Sequence, residues 1–324
     1  MTEAAMRRAA FHGLVTRGEG AGDRVMRALD KGNPWVRDVF AAPRRMPAWI
    51  ALPGASIFAV SVLMLFKFNA GLLEGALGAV WAPTPAPWAD ILTFGVLQGL
   101  IFGSFLAAAV AATAFERRRA WRGGADPLSA LAIGLACGSA GFCAAVAIAF
   151  LAGGVAAGTA TGAPVGALAV GAALVAFQSL AEEAFFRGWL QPVLCADWGL
   201  WPGLLLTSGV FAALHIVADA HGGLAVVNLF LGGVLFGLLA LRTGGLLAPV
   251  AAHFAWNWSE SGVLGLNTDP SGSVLMLRFA GARLWNGGAD TMNGSLATTL
   301  VLSVLVTGFL LAGPAGAIDA TAGT

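Results

Sequence analysis

No charged residue occurs between Asp126 and Glu182. A stretch of that length without a charge cannot form the surface of a domain in water. It is also too long for one membrane crossing, which takes about 20 mostly apolar residues. Gly153-Gly154 through Gly162-Ala163-Pro164 supply the break. Composition agrees: 58% of the 324 residues are hydrophobic and 11% are charged, where soluble domains carry about 25% charge. That balance excludes an ordinary cytosolic enzyme, a disordered chain and a nucleic-acid binder with a basic face. The 45 glycines and the alanine-rich runs suit close helix packing in lipid. The expected fold is all-α, a polytopic transmembrane helical bundle.

Eight spans are expected, at 48–66, 91–115, 128–152, 167–192, 200–218, 224–241, 245–263 and 295–313. Residues 67–90, with Lys67, Glu74 and three prolines, read as a loop or an interfacial segment. The expected division is a basic cytoplasmic segment at 1–46, the first three spans within 47–166, a core of spans four to seven at 167–264, an outer loop at 265–294, and a last span with a short tail at 295–324. Residues 1–46 hold nine of the 18 Lys and Arg residues. By the excess of basic residues on the cytoplasmic side, both termini are expected in the cytoplasm. Asn33 before Pro34 reads as an N-cap with proline at the first helical position. Val36, Val39 and Phe40 then mark 34–41 as a short helix on the membrane surface. Cys137, Cys143 and Cys195 are too few and too scattered for a disulfide framework.

Ionisable side chains inside a span cost roughly 2.5–3.5 kcal/mol each on insertion scales, so they mark function first. Four positions qualify: Glu182, Glu183, His215 and His253. Glu183 and Arg187 share a helical face at i,i+4 and would neutralise each other. Glu182 is rotated about 100° away and is left without that partner, a state suited to a general base at a small wet cavity. The residues alone equally allow both acids to be structural ties between helices. Phe211 and His215 share a face, as do His253 and Asn257. Asn228 reads as a helix–helix hydrogen bond. Counting from the loop ends, the depths of Glu182, His215 and His253 scatter by roughly 10 Å, which lets them meet in the inner-to-middle membrane.

Glu182-Glu183-xxx-Arg187, then Phe211-xxx-His215, then His253-xxx-Asn257 resembles the CPBP family, also called the type II CAAX prenyl endopeptidase or Abi family. Gly232-Gly233, Gly237 and Arg242-Thr243-Gly244-Gly245 look like that family's link between its second and third motifs. The resemblance covers 178–257. It implies an all-helical intramembrane peptidase acting on a membrane-associated protein or peptide within the lipid bilayer. By the same resemblance, Glu182 and His215 activate the attacking water, while His253 and Asn257 stabilise the oxyanion. Glu183, Arg187 and Phe211 would support them, with Glu183–Arg187 fixing the rotation that aims Glu182.

A Zn²⁺ ion held by Glu182, His215 and His253 with water in the fourth position is a possible variant. The chain has no HExxH, and the same set works without metal, so a metal-free, glutamate-type mechanism with no cofactor is preferred. Many bacterial relatives act where no prenylated protein is expected, so CAAX cleavage itself is not carried over. A multi-pass protein of the bacterial inner membrane is expected. The competing class is a non-catalytic membrane binder, such as an immunity protein, with the same polar cluster as structural glue. A transporter would also use Glu and His, but no inverted repeat is visible. Val274 to Phe279, flanked by Arg278 and Arg283, could form a substrate lid; a plain surface loop is the preferred reading.

Overall fold

A computed structural model describes residues 34–118, 123, 124, 126–218, 222–267 and 269–311. The expected basic segment up to Asn33 and the tail after Leu311 lie outside the described residues.

Apolar runs become helices in chain order: α1 Pro34–Ala41, α2 Ala48–Trp81, α3 Trp88–Phe115 and α4 Pro127–Leu151. After a strand, β1 Val155–Ala160, comes α5 Val165–Glu183. It runs without a break through a π-helical turn, Ala184–Leu190, into α6 Gln191–Trp198. Then follow α7 Leu200–Ala218, α8 Gly223–Thr243 and α9 Leu247–Trp258, which passes into a second π turn, Ser259–Val263. A strand β2 Leu275–Phe279, a short helix α10 Arg283–Asn286, a 3₁₀ segment Gly288–Gly294 and α11 Leu296–Leu311 complete the described chain.

Seven helical stretches among the described residues are long and apolar enough to cross a membrane. The expected span at 245–263 is the exception, a shorter rod made of α9 and its π turn. All-α membrane architecture therefore follows, with one two-stranded sheet added.

Three local expectations are corrected. Residues 67–81 are not a loop, because α2 continues for 34 residues. At about 1.5 Å per residue that exceeds the hydrocarbon thickness of about 30 Å. Its charges need not be looped out, and Lys67 Nζ donates to the carbonyls of Val217 (3.2 Å) and Ala218 (3.0 Å) at the open end of α7. Second, 275–279 is a strand and not a plain surface loop. It pairs antiparallel with β1, Val155 opposite Phe279 and Ala160 opposite Leu275, across an irregularity between Ala156 and Thr159. A side chain at Gly158 would put its Cβ 1.6 Å from the Met276 carbonyl oxygen, which explains a glycine there. Third, α1 does not lay its whole stripe on the membrane. Val36 and Val39 are buried against the protein, Val36 beside Cys195 and Leu241, while Phe40 stays exposed.

The helix carrying the third motif is positioned from behind. Asp126 caps α4 by accepting from the Ser129 backbone (3.2 Å) and hydroxyl (2.5 Å), with Pro127 in the first turn. Along α4, Gly134-xxx-Gly138 lets the two backbones approach, a small-residue helix contact suited to lipid. A Cβ at Gly138 would sit 2.2 Å from the Ala252 carbonyl oxygen, and one at Gly134 would sit 2.3 Å from that of Ala248. The facing residues of α9 are themselves small: Ala248, Ala251, Ala252 and Ala255. Phe142 then meets Trp256 edge to face.

Two apolar clusters result. One joins residues of α4, α8, α9 and α11; the other joins residues of α1, α2, α3, α6 and α7 with the first π turn. Phe236 and Trp256 belong to the first and Phe211 to the second.

Candidate active site

Glu183, wholly buried at the end of α5, is the centre of the site. Its Oε1 accepts from Arg187 Nη1 at 2.9 Å and from His253 Nδ1 at 2.9 Å. The expected Glu183–Arg187 pair is present; the bond to His253, 70 positions along the chain, was not foreseen. Arg187 is also wholly buried, and its Nη2 donates to the Gly233 carbonyl at 3.0 Å. The guanidinium lies over the rings of Phe211 (4.8 Å), Phe236 (5.5 Å) and Phe186 (5.6 Å). A buried cation is thus met by one carboxylate, one carbonyl and three aromatic faces, the combination a delocalised guanidinium suits.

One turn on, Gln191 Nε2 donates to the Gly237 carbonyl at 3.2 Å, a second rung beside Arg187–Gly233. A Cβ at Gly237 would stand 2.6 Å from Gln191 Oε1, so a larger residue would displace the rung. This is the physical content of the glycine-rich link.

Phe211 also holds both imidazoles. Its carbonyl accepts from His215 Nδ1 at 2.8 Å, and its ring contacts those of His215 (4.6 Å) and His253 (6.1 Å). Phe236 stacks on His253 at 4.8 Å with planes 16° apart. Because a carbonyl and a carboxylate only accept, Nδ1 carries the proton in both rings. In the neutral form of either ring the lone pair is then on Nε2.

A cavity of about 460 Å³ opens at the seam of the two clusters. Phe211, His215, His253 and Asn257 line it, with Gln98 of α3 and Gln178 of α5. No described residue hydrogen-bonds the Asn257 side-chain amide. Glu182 is nearly buried and reaches the lining through Gln178, whose Nε2 donates to Glu182 Oε1 at 3.1 Å. Gln98 Nε2 in turn donates to Gln178 Oε1 at 3.4 Å. Glu182 therefore has an amide hydrogen-bond partner and no salt bridge among the described residues, while Glu183 takes both Arg187 and His253. No hydrogen bond joins Glu182 to His215 among the described residues. Glu183 and Arg187 lie behind the cavity wall, as supports.

Sequence reasoning missed the Gln98–Gln178–Glu182 chain, although Gln178 at i−4 of Glu182 was a readable signal. It also missed Glu260, which lines the far end of the cavity and accepts from Thr291 Oγ1 at 2.8 Å. Asn228 is a helix tie, as read: its amide donates to the carbonyls of Asn293 (2.7 Å) and Ser295 (2.9 Å), and its Oδ1 accepts from Thr299 (2.7 Å).

Among the described residues no group of three or more His, Cys, Asp and Glu side chains could hold a metal ion, so Glu182, His215 and His253 are not gathered as ligands.

Fold and site together define a multi-pass helical membrane protein with a carboxylate, two imidazoles and a free amide around one internal cavity. Residues 164–259 match the family described as "Type II CAAX prenyl endopeptidase Rce1-like". All the motif residues fall inside that segment. The chain is also 37% identical over 89 residues to an Escherichia coli protein named only "Uncharacterized 24.3 kDa protein". That match covers 27% of this chain and 38% of the relative, so the chain spans about two fifths of the length of the curated relative it matches. No solved structure matches the chain.

Proposed function

We propose that the chain is an intramembrane endopeptidase, hydrolysing a peptide bond of a membrane-associated protein or peptide by a metal-free, glutamate-type mechanism. The observation that carries the proposal is the division of labour between the two adjacent acids. Glu183 is held by Arg187 and His253, while Glu182, in no salt bridge among the described residues, is hydrogen-bonded to Gln178 of the cavity lining.

Water in the cavity is the nucleophile. Glu182 takes one of its protons as the oxygen attacks the scissile carbonyl carbon, and His215 Nε2 accepts a hydrogen bond from the same water. The developing oxyanion receives the Asn257 Nδ2–H. It also receives a His253 Nε2–H once that ring holds a second proton, with Glu183 against its other nitrogen. Collapse breaks the C–N bond, and Glu182 returns the proton to the leaving amine. His253 is held by the stacked Phe236 ring and by Glu183 at Nδ1, which is the preorganisation that electrostatic catalysis needs.

The match of 164–259 to a prenyl endopeptidase family supports the protease class. The test uses protein in lipid vesicles with two probes: an S-farnesylated CAAX-type peptide, and a transmembrane peptide without a prenyl group. Glu182→Gln keeps the volume and removes the base. It should lower kcat by about 10²–10⁴-fold while the protein stays folded in the membrane. Undiminished cleavage by that variant would remove Glu182 from the mechanism. Failure of the wild type to cleave either probe, or any peptide whose membrane abundance changes with Glu182→Gln in cells, favours the immunity-protein class.

A further inference from the structure

The turn that carries Arg187 is braced from outside the matched segment. Pro192 lies two residues past the end of the π turn and has no N–H. In a regular helix residue 192 would donate to the Gly188 carbonyl, four back, so proline leaves that oxygen without its helical donor. Arg118, from the end of α3, supplies donors. Its Nη1 reaches the Gly188 carbonyl at 3.0 Å, and its Nη2 reaches that of Trp189 at 3.3 Å.

Arg118 is itself held. Its Nε donates to Glu116 Oε2 at 2.6 Å, and both side chains are almost wholly buried. The other oxygen of Glu116 accepts the Met46 backbone N–H at 3.2 Å, just before α2. The backbone aims the group: Arg117 N–H to Ala114 and Arg118 N–H to Thr113 close a Schellman motif. Its left-handed position is occupied by Arg117, φ 54°, where glycine is usual. For a residue with a Cβ that conformation costs about 1–2 kcal/mol. It persists where the surroundings fix it, here through the Arg118 anchor.

We propose that Arg118, clamped by Glu116, is a positioning residue for hydrolysis. It replaces the donor that Pro192 lacks, holds the π turn, and so sets the rotation that brings Glu183 to His253 and Glu182 to Gln178. The catalytic part of this statement rests on the peptidase reading; the structural part does not.

The experiment therefore reads both. The His253 Nδ1–H signal in ¹⁵N-histidine spectra reports the Glu183 bond, whatever the protein hydrolyses. Cleavage of the farnesylated or the plain transmembrane peptide reports catalysis. Arg118→Ala should weaken or abolish the His253 signal and lower kcat on the order of 10²-fold, with KM unchanged, as a misplacement of about 1 Å does. Arg118→Lys, which keeps one donor and the charge, should fall between. Adding Pro192→Ala to Arg118→Ala restores an N–H to Gly188 and should recover both readouts in part. An unchanged His253 signal in folded Arg118→Ala overturns the proposal, as does a double variant no better than the single. A changed His253 signal in a protein that cleaves neither peptide sinks the peptidase reading and leaves the positioning role standing.

Discussion

Neutralising Glu183 is the sharpest perturbation the site offers. Glu183→Gln keeps the shape and removes the charge from a carboxylate that has no exposure. Arg187 then remains buried with a carbonyl at 3.0 Å and three ring faces, but without its anion. Removing one partner of a buried ion pair costs about 3–5 kcal/mol, because the other charge is left uncompensated. The reverse change, Arg187→Met, should cost less. Glu183 still has His253 at 2.9 Å, which can take a proton and serve as its cation. The double variant removes both charges and should recover most of the lost stability, since apolar replacement of a whole buried pair is often close to neutral. Peptide cleavage should not recover with it, because an amide oxygen at His253 Nδ1 still accepts a hydrogen bond but cannot balance a charged ring when the oxyanion forms. The assay is a double-mutant cycle on reversible unfolding in mixed lipid–detergent micelles, with cleavage rates measured on the same samples. A double variant as unstable as Glu183→Gln alone would refute the account of Arg187 as an uncompensated charge. Full cleavage by the double variant would refute the role given to the Glu183–His253 bond.

Three further outcomes follow from the packing. Gly138→Leu should prevent α4 from closing on α9 and leave an unstable or unassembled protein, seen as loss of a monodisperse peak in size exclusion, since even a Cβ there lies 2.2 Å from backbone. Asn228→Ala should destabilise by about 1–3 kcal/mol for a buried group left unsatisfied, while the surviving folded fraction keeps its specific activity; loss of activity without loss of stability would make Asn228 part of the chemistry. At the exposed end of α4, hydrogen bonds from the Ser129 hydroxyl and then its backbone hold the Asp126 carboxyl below its ordinary range. A depressed acid stabilises above its unfolded value, so this capping contribution is present at neutral pH and is lost as pH falls through the folded value. Ser129→Ala should move that loss to higher pH, as amide exchange in the first turn of α4 would record.

The motif spacing made much of the site legible. Glu183 and Arg187 at i,i+4, Phe211 with His215, and His253 with Asn257 are local relations that a helix enforces, and all of them line or support one cavity. Which acid His253 would choose was not legible, since that depends on how α9 is rotated against α5, and α4 fixes that rotation through Gly134 and Gly138. The β1–β2 pair was hidden because Val-Ala-Ala-Gly-Thr-Ala has few strand-forming residues and is held by its register with 275–279. The extension of α2 was hidden because Lys67 and Glu74 resemble a loop, although a helix projecting beyond the hydrocarbon carries charge freely. Nothing local to the sequence singles out Arg118; only its meeting with Gly188 and Trp189 in space gives it a task.

The glycine contact behind α9 has a consequence for genetics. Helix α4 contributes no side chain to the cavity, so a map of site residues would score substitutions along it as harmless. A screen for loss of function should nevertheless return Gly134 and Gly138 variants beside those of Glu182 and His253. Suppressors of such variants would then arise at Ala248, Ala251, Ala252 or Ala255 across the contact, on a face of α9 turned away from the chemistry.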